Sequence, residues 1–138
     1  PLWHRHWNRL TASLPKLYFE QPPHFSSVQL QEEVVKLAAK NKCTTAARVR
    51  ITVFKGEGGL WEHPSSMFNY IIQCWPVENN EVRMNENGLD LGLFEQGRKV
   101  CDAFSNFKTN NYLLYALAAQ YARQQKWNEA VVLNQHGR

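Results

Sequence analysis

The 138-residue chain is 43% hydrophobic and 20% charged, which excludes a disordered or fibrous polypeptide and suits one domain better than two ordinary ones. Its net charge of +4 invites a nucleic-acid reading, but only Arg48, Arg50 and Lys55 form a denser group, and nucleic-acid binders concentrate charge on one face. No apolar run approaches the roughly 20 residues needed to span a bilayer, and Pro1 to Leu10 lacks the apolar segment of a signal peptide.

In chain order, Leu10, Leu14 and Leu17 recur at helical spacing behind Trp3, His6 and Trp7, predicting a short amphipathic helix that Pro15 ends or kinks. Gln21-Pro22-Pro23-His24 reads as a loop. A second helix starts at Ser26 with Gln29 as its capping-box partner, presents Leu30, Val34, Leu37 and Ala38, and stops near Asn41. From Ala47 to Phe54 the pattern turns to alternation, with Ala47, Val49, Ile51 and Val53 on one face and Arg48, Arg50, Thr52 and Phe54 on the other. Residues 56–59 form a turn, Met67–Trp75 a strand, and 78–87 a polar stretch before a short strand near Leu89–Phe94. Residues 95–109 read as irregular, Asn110–Gln125 as the last helix, and Ala130–Leu133 as the final strand. This order predicts an α+β fold, a sheet flanked by helices. The chain stops at Asn134-Gln135-His136-Gly137-Arg138, inside what reads as a turn, which suggests a fragment.

Cys43, Cys74 and Cys101 form no C-x-x-C pair. Their odd, sparse count suits a reducing cytoplasm, with each a small buried hydrophobe. His4 and His6 diverge on a helix, so no metal site is expected.

Three segments carry a family resemblance. His6-Trp7-Asn8-Arg9-Leu10-Thr11-Ala12-Ser13 matches an H-x-x-R-L-x-x-S helix, and Arg48-Val49-Arg50-Ile51-Thr52-Val53-Phe54-Lys55-Gly56 a strand. Lys108-Thr109-Asn110-Asn111-Tyr112-Leu113 opens an Ala-rich helix that leads to Trp127-Asn128-Glu129-Ala130-Val131-Val132-Leu133-Asn134. Together, in order and from His6 to the last residue, they resemble the class IV aminotransferases, the pyridoxal 5'-phosphate (PLP) enzymes that include branched-chain and D-amino-acid aminotransferases and 4-amino-4-deoxychorismate lyase. Trp127 departs from the glycine usual before the last strand, read here as a loop variation. The resemblance implies that residues 1–138 form the N-terminal small domain plus the start of a second, cofactor-binding domain, with about 108–138 carrying the lysine helix and strand.

The same resemblance makes Lys108 the lysine that carries PLP. Such a lysine must lose its proton near neutral pH, which takes burial or a cationic neighbour. Phe104 and Phe107 precede Lys108 and an apolar helix follows it. The plain alternative is a solvated lysine before a helix, an unfavourable place for a cation. Arg9 falls where the family grips the cofactor phosphate, a task suited to a planar guanidinium fork; otherwise it is an ordinary surface arginine. Tyr112 falls near a tyrosine that bonds the cofactor ring oxygen, or else packs beside Tyr115. The resemblance also makes Arg50 and Lys55 substrate candidates: Arg50 falls where branched-chain members carry an arginine for the substrate carboxylate, and Lys55 where D-amino-acid and lyase members carry an arginine just before the glycine. Strand alternation points them to opposite faces unless a bulge intervenes, so at most one faces a pocket, and Arg50 is preferred. The bland reading of Arg48, Arg50 and Lys55 is a solvated strand edge.

The implied activity is an aminotransferase interconverting an amino acid and a 2-oxo acid. The alternatives are 4-amino-4-deoxychorismate lyase, toward which the glycine-rich turn after Lys55 leans, and a truncated, non-catalytic remnant. In the family the strand ending in Asn134 is followed by a glutamate that pairs with the pyridine nitrogen, and Arg138 falls about one residue short of it by motif spacing. A homodimer is implied; nucleic-acid and membrane partners are not.

Overall fold

A computed structural model describes residues 2–43, 46–56, 58, 67–77 and 86–138. The chain divides into two units, Pro1–Glu81 and Val82–Arg138. The first holds α1 (Trp3–Ser13), a single 3₁₀ turn (Pro15–Leu17), α2 (Ser27–Lys40), β1 (Ala47–Lys55) and β2 (Phe68–Pro76). The second holds β3 (Leu91–Lys99), α3 (Leu113–Gln124) and β4 (Glu129–Asn134). Helices and strands are thus mixed, as an α+β fold requires.

Helix α1 ends where Pro15 removes a backbone donor. The chain then tightens into the 3₁₀ turn and reverses at Tyr18, whose φ of 57° lies in the left-handed region. Helix α2 begins as its cap residues dictate: Ser26 Oγ accepts from Gln29 N–H at 3.2 Å. The reciprocal half of the box is not made. The Gln29 amide donates forward to Glu33 Oε1 at 3.1 Å, one turn along the helix.

Strands β1 and β2 pair antiparallel in unbroken register from Ala47↔Pro76 to Lys55↔Phe68. Alternation therefore sorts their side chains cleanly. Ile51, Val53, Tyr70 and Ile72 pack on a core of Leu14, Phe25, Leu30 and Phe68. Phe25 is the hub of that core, with ring centroids 4.8 Å from Phe68, 5.2 Å from Tyr70 and 5.3 Å from Trp7. Tilted and edge-to-face aromatic contacts of this kind add to the gain from burial. Arg48, Arg50, Phe54, Ile71 and Trp75 point to the other, exposed face.

In the second unit β3 and β4 pair parallel, which requires a crossover, and α3 supplies it. β3 is longer than the expected short strand, and residues 95–99, expected to be irregular, belong to it. Glu95, Gly97, Arg98 and Lys99 have weak strand propensity; pairing with the neighbour overrides it. The ladder runs from Leu91↔Glu129 to Phe94↔Val132, and after an irregularity resumes at Lys99↔Asn134. Phe94, Ala118 and Ala122 are buried between sheet and helix. Gly92 and Gly97 let α3 and its C-terminal turn close on the sheet: a Cβ at Gly92 would meet the Trp127 ring, and one at Gly97 the Leu114 side chain.

The turn expected over 56–59 lies partly outside the described residues, since Glu57 and Gly59 are not among them, as does most of the polar stretch 78–87. Among the described residues no helix is long and apolar enough to cross a membrane.

Candidate active site

The segment ahead of Lys108 is a turn tied by its own side chains. Asp102 Oδ1 accepts from Phe104 N–H at 2.9 Å and from the Ser105 hydroxyl at 2.8 Å. Ser105 Oγ in turn accepts from Asp102 N–H at 2.8 Å and lies 2.8 Å from the Val100 carbonyl. The Ser105 hydroxyl, then the Phe104 N–H, hold the Asp102 carboxyl below its ordinary value, because both bonds favour the charged form. Phe107 N–H closes the turn on Phe104 O at 2.9 Å, with the two rings 6.4 Å apart.

Lys108 follows directly and is exposed. The last helix starts three residues later than expected, at Leu113 instead of Asn110. Thr109 Oγ1 accepts from Asn111 N–H at 3.4 Å and Asn110 O from Tyr112 N–H at 2.9 Å, so short polar side chains and local bonds hold 109–112 out of the helix. Lys108 is thereby separated from the helix terminus by more than a turn. Tyr112 occupies the N-cap position of α3 and is 59% exposed.

In the first unit, Arg9 lies on the exposed side of α1, away from Trp3, Trp7 and Leu10, which face the core. Its Nη2 is 3.4 Å from His6 Nδ1. Arg50 is exposed on β1 with its guanidinium 5.7 Å from the centre of the Trp75 ring, a cation–π placement. Arg48, Arg50, Trp75, Pro76 and Val77 line an open depression of about 490 Å³. Lys55 projects from the opposite face, its Nζ 5.8 Å from the Phe19 ring centre. No bulge interrupts β1, so Arg50 and Lys55 do not converge.

Among the described residues, neither Lys108 nor Arg9 is paired with a carboxylate; the ion pair present joins Lys36 and Glu32 on α2.

The amino-transferase class IV family model matches residues 1–138, the whole chain. The chain belongs to the class IV aminotransferase family. Members of this family are PLP-dependent enzymes. A solved protein from Legionella pneumophila assigned as a 4-amino-4-deoxychorismate lyase is 19% identical, with a TM-score of 0.77 over 98% of this chain and 48% of its own. The Escherichia coli branched-chain amino acid aminotransferase is 23% identical, with a TM-score of 0.73 over 98% of this chain and 45% of its own. These likenesses establish the fold: the class IV N-terminal architecture, spanned by a chain about half the length of either relative. No curated protein sequence matches the chain.

Three relationships were invisible to sequence reading. Trp127, read as a loop variation, is half-buried and packs over Gly92. The Asp102–Ser105 bonds order a segment that had no periodicity to announce it. Cys43 and Cys74, read as separate buried hydrophobes, place their sulfurs 3.7 Å apart. Loss of solvent around the thiol, then its bond to Cys74, push Cys43 up from the ordinary thiol value.

Proposed function

We propose that this chain forms the part of a PLP-dependent aminotransferase that carries the cofactor lysine, and that the enzyme interconverts an amino acid and a 2-oxo acid. The observation that carries this reading is the family match over the whole chain, which includes the Lys108 segment. Lys108, Arg9 and Tyr112 present an accessible amine, guanidinium and phenol to a phosphate-bearing aldehyde, although the described residues do not give Lys108 the burial expected of a cofactor lysine. Each is uncommitted to an acidic partner among the described residues.

In this reading Lys108 Nζ holds the cofactor and afterwards moves a proton at the substrate Cα, as general base and then as general acid. Arg9 binds the phosphate through its planar fork. The Tyr112 hydroxyl donates to the ring oxygen. Arg50, backed by Trp75, takes the substrate carboxylate, and Lys55, on the other face of β1, does not. When bound, PLP supplies an electron sink for the charge that develops at Cα. The enzyme acts on small molecules and assembles as a homodimer.

Half-reaction chemistry tests the assignment. The protein in its longest natural form is loaded with PLP and mixed with single amino acids. Stoichiometric release of a 2-oxo acid, with conversion of the bound cofactor to its amino form, supports the aminotransferase. Pyruvate and 4-aminobenzoate released from aminodeoxychorismate replace it with the lyase, and no product from either replaces it with the non-catalytic remnant.

A further inference from the structure

Cys43 and Cys74 are 31 positions apart in sequence, yet their Sγ atoms lie 3.7 Å apart. The fold fixes both partners. Cys74 sits on β2 opposite Val49 and is 7% exposed. Cys43 follows the end of α2, where Lys42 turns with φ of 57° and Cys43 N–H donates to Ala38 O at 3.0 Å. The end of α2 is also tied to β2 beside the pair, since the Asn41 side-chain amide donates to the Cys74 carbonyl at 2.8 Å. A disulfide bond is about 2.05 Å long. The sulfurs therefore need to close by only roughly 1.7 Å, a movement within reach of a side-chain rotation at the half-buried Cys43.

We infer that Cys43 and Cys74 form a reversible disulfide when the protein meets a hydroperoxide, a redox clamp between the end of α2 and strand β2. Cys43 reacts first because it is the more accessible sulfur, and it does so slowly, through the small thiolate fraction that its raised value leaves. As the thiolate it attacks one peroxide oxygen: an S–O bond forms, the O–O bond breaks, and the other oxygen leaves as alcohol or water after taking up a proton. Cys43 is oxidised to the sulfenic acid and the peroxide is reduced. Cys74 gives up its proton and attacks the Cys43 sulfur, forming S–S and expelling hydroxide, which that proton converts to water. Two thiols and one hydroperoxide thus yield one disulfide, one alcohol and one water. The cross-link closes a long loop and so restricts the unfolded chain. It operates whether or not Lys108 carries a cofactor.

The test uses the chain with Cys101→Ser, freed of reductant and treated with one equivalent of hydrogen peroxide. Alkylation followed by non-reducing peptide mapping should find the Cys43 and Cys74 peptides joined and neither thiol alkylated. A thiol reductant should restore both. Thermal unfolding should occur several degrees higher for the oxidised form. Cys43→Ser, at a half-exposed position that tolerates the change, should leave Cys74 alkylatable after peroxide. The inference is overturned if both thiols survive peroxide, if Cys43 is oxidised to the sulfinic acid without a cross-link, or if the joined peptides come only from two different chains.

Discussion

Gly92 and Trp127 form a matched pair: a Cβ built on Gly92 would collide with Cζ3 of the Trp127 ring, inside any allowed contact distance. The ring occupies the space that glycine leaves, and it also stacks edge-on against Tyr121 with centroids 5.7 Å apart. An aromatic ring cannot fold aside as the tip of a lysine can, so the strand or the turn after α3 must shift to admit a methyl group. Gly92→Ala should destabilise the chain by about 1–3 kcal/mol, the usual range for overpacking. Trp127→Ala should also destabilise, by removing the ring. The double variant should lose less than the sum of the two, because the clash is gone. Denaturant midpoints for the four proteins measure this, and strict additivity would refute the pairing.

The Tyr70 hydroxyl donates to Glu33 Oε2 at 2.8 Å, joining β2 to α2. Burial first, and then the bond to the Glu33 carboxylate, raise the Tyr70 value above 10.0. The folded state therefore holds this proton more tightly than the unfolded chain does. Its contribution to stability is fully present below pH about 10 and is lost as pH climbs through the raised value. Tyr70→Phe should lower stability at neutral pH and flatten the alkaline limb of the stability–pH curve. An unchanged alkaline slope in the variant would assign the loss to other groups.

How much of this was legible in advance depended on range. The Ser26 cap and the Leu30 stripe involve residues within a few positions of one another, and both stand where the sequence placed them. The alternation in β1 was equally local, and it separated Arg50 from Lys55 before any pairing was known. The second half of β3 was not legible, because Glu95–Lys99 become a strand only through a parallel neighbour contributed some 35 positions later. The delayed start of α3 has no periodic signature, because Thr109 and Asn110 divert backbone donors that a helix would use. The Cys43–Cys74 contact and the Trp127 ring over Gly92 are tertiary facts with no periodic signature. Of the site residues, Lys108, Arg9 and Tyr112 were named from motif resemblance, and their chemistry rests on that resemblance.

Arg50 and Lys55 offer a contrast that strand geometry makes sharp. With the register unbroken they face opposite ways, Arg50 toward Trp75 and Lys55 toward Phe19. If Arg50 takes a substrate carboxylate, Arg50→Ala should raise KM by about 10- to 100-fold, as for loss of a charged hydrogen bond. Lys55→Ala should leave KM within a few-fold of the parent. The reverse order, measured with the same amino acid, would move the carboxylate site to the Phe19 side of β1.

The central claim is that Lys108 carries the cofactor. The most direct measurement is borohydride reduction of the PLP-loaded protein, in its longest natural form, followed by peptide mapping. A phosphopyridoxyl group on Lys108, absent in Lys108→Ala and weakly formed in Arg9→Ala at limiting PLP, is the predicted result. Labelling on other lysines alone, or a Lys108→Ala protein labelled as fully as the parent, would contradict it.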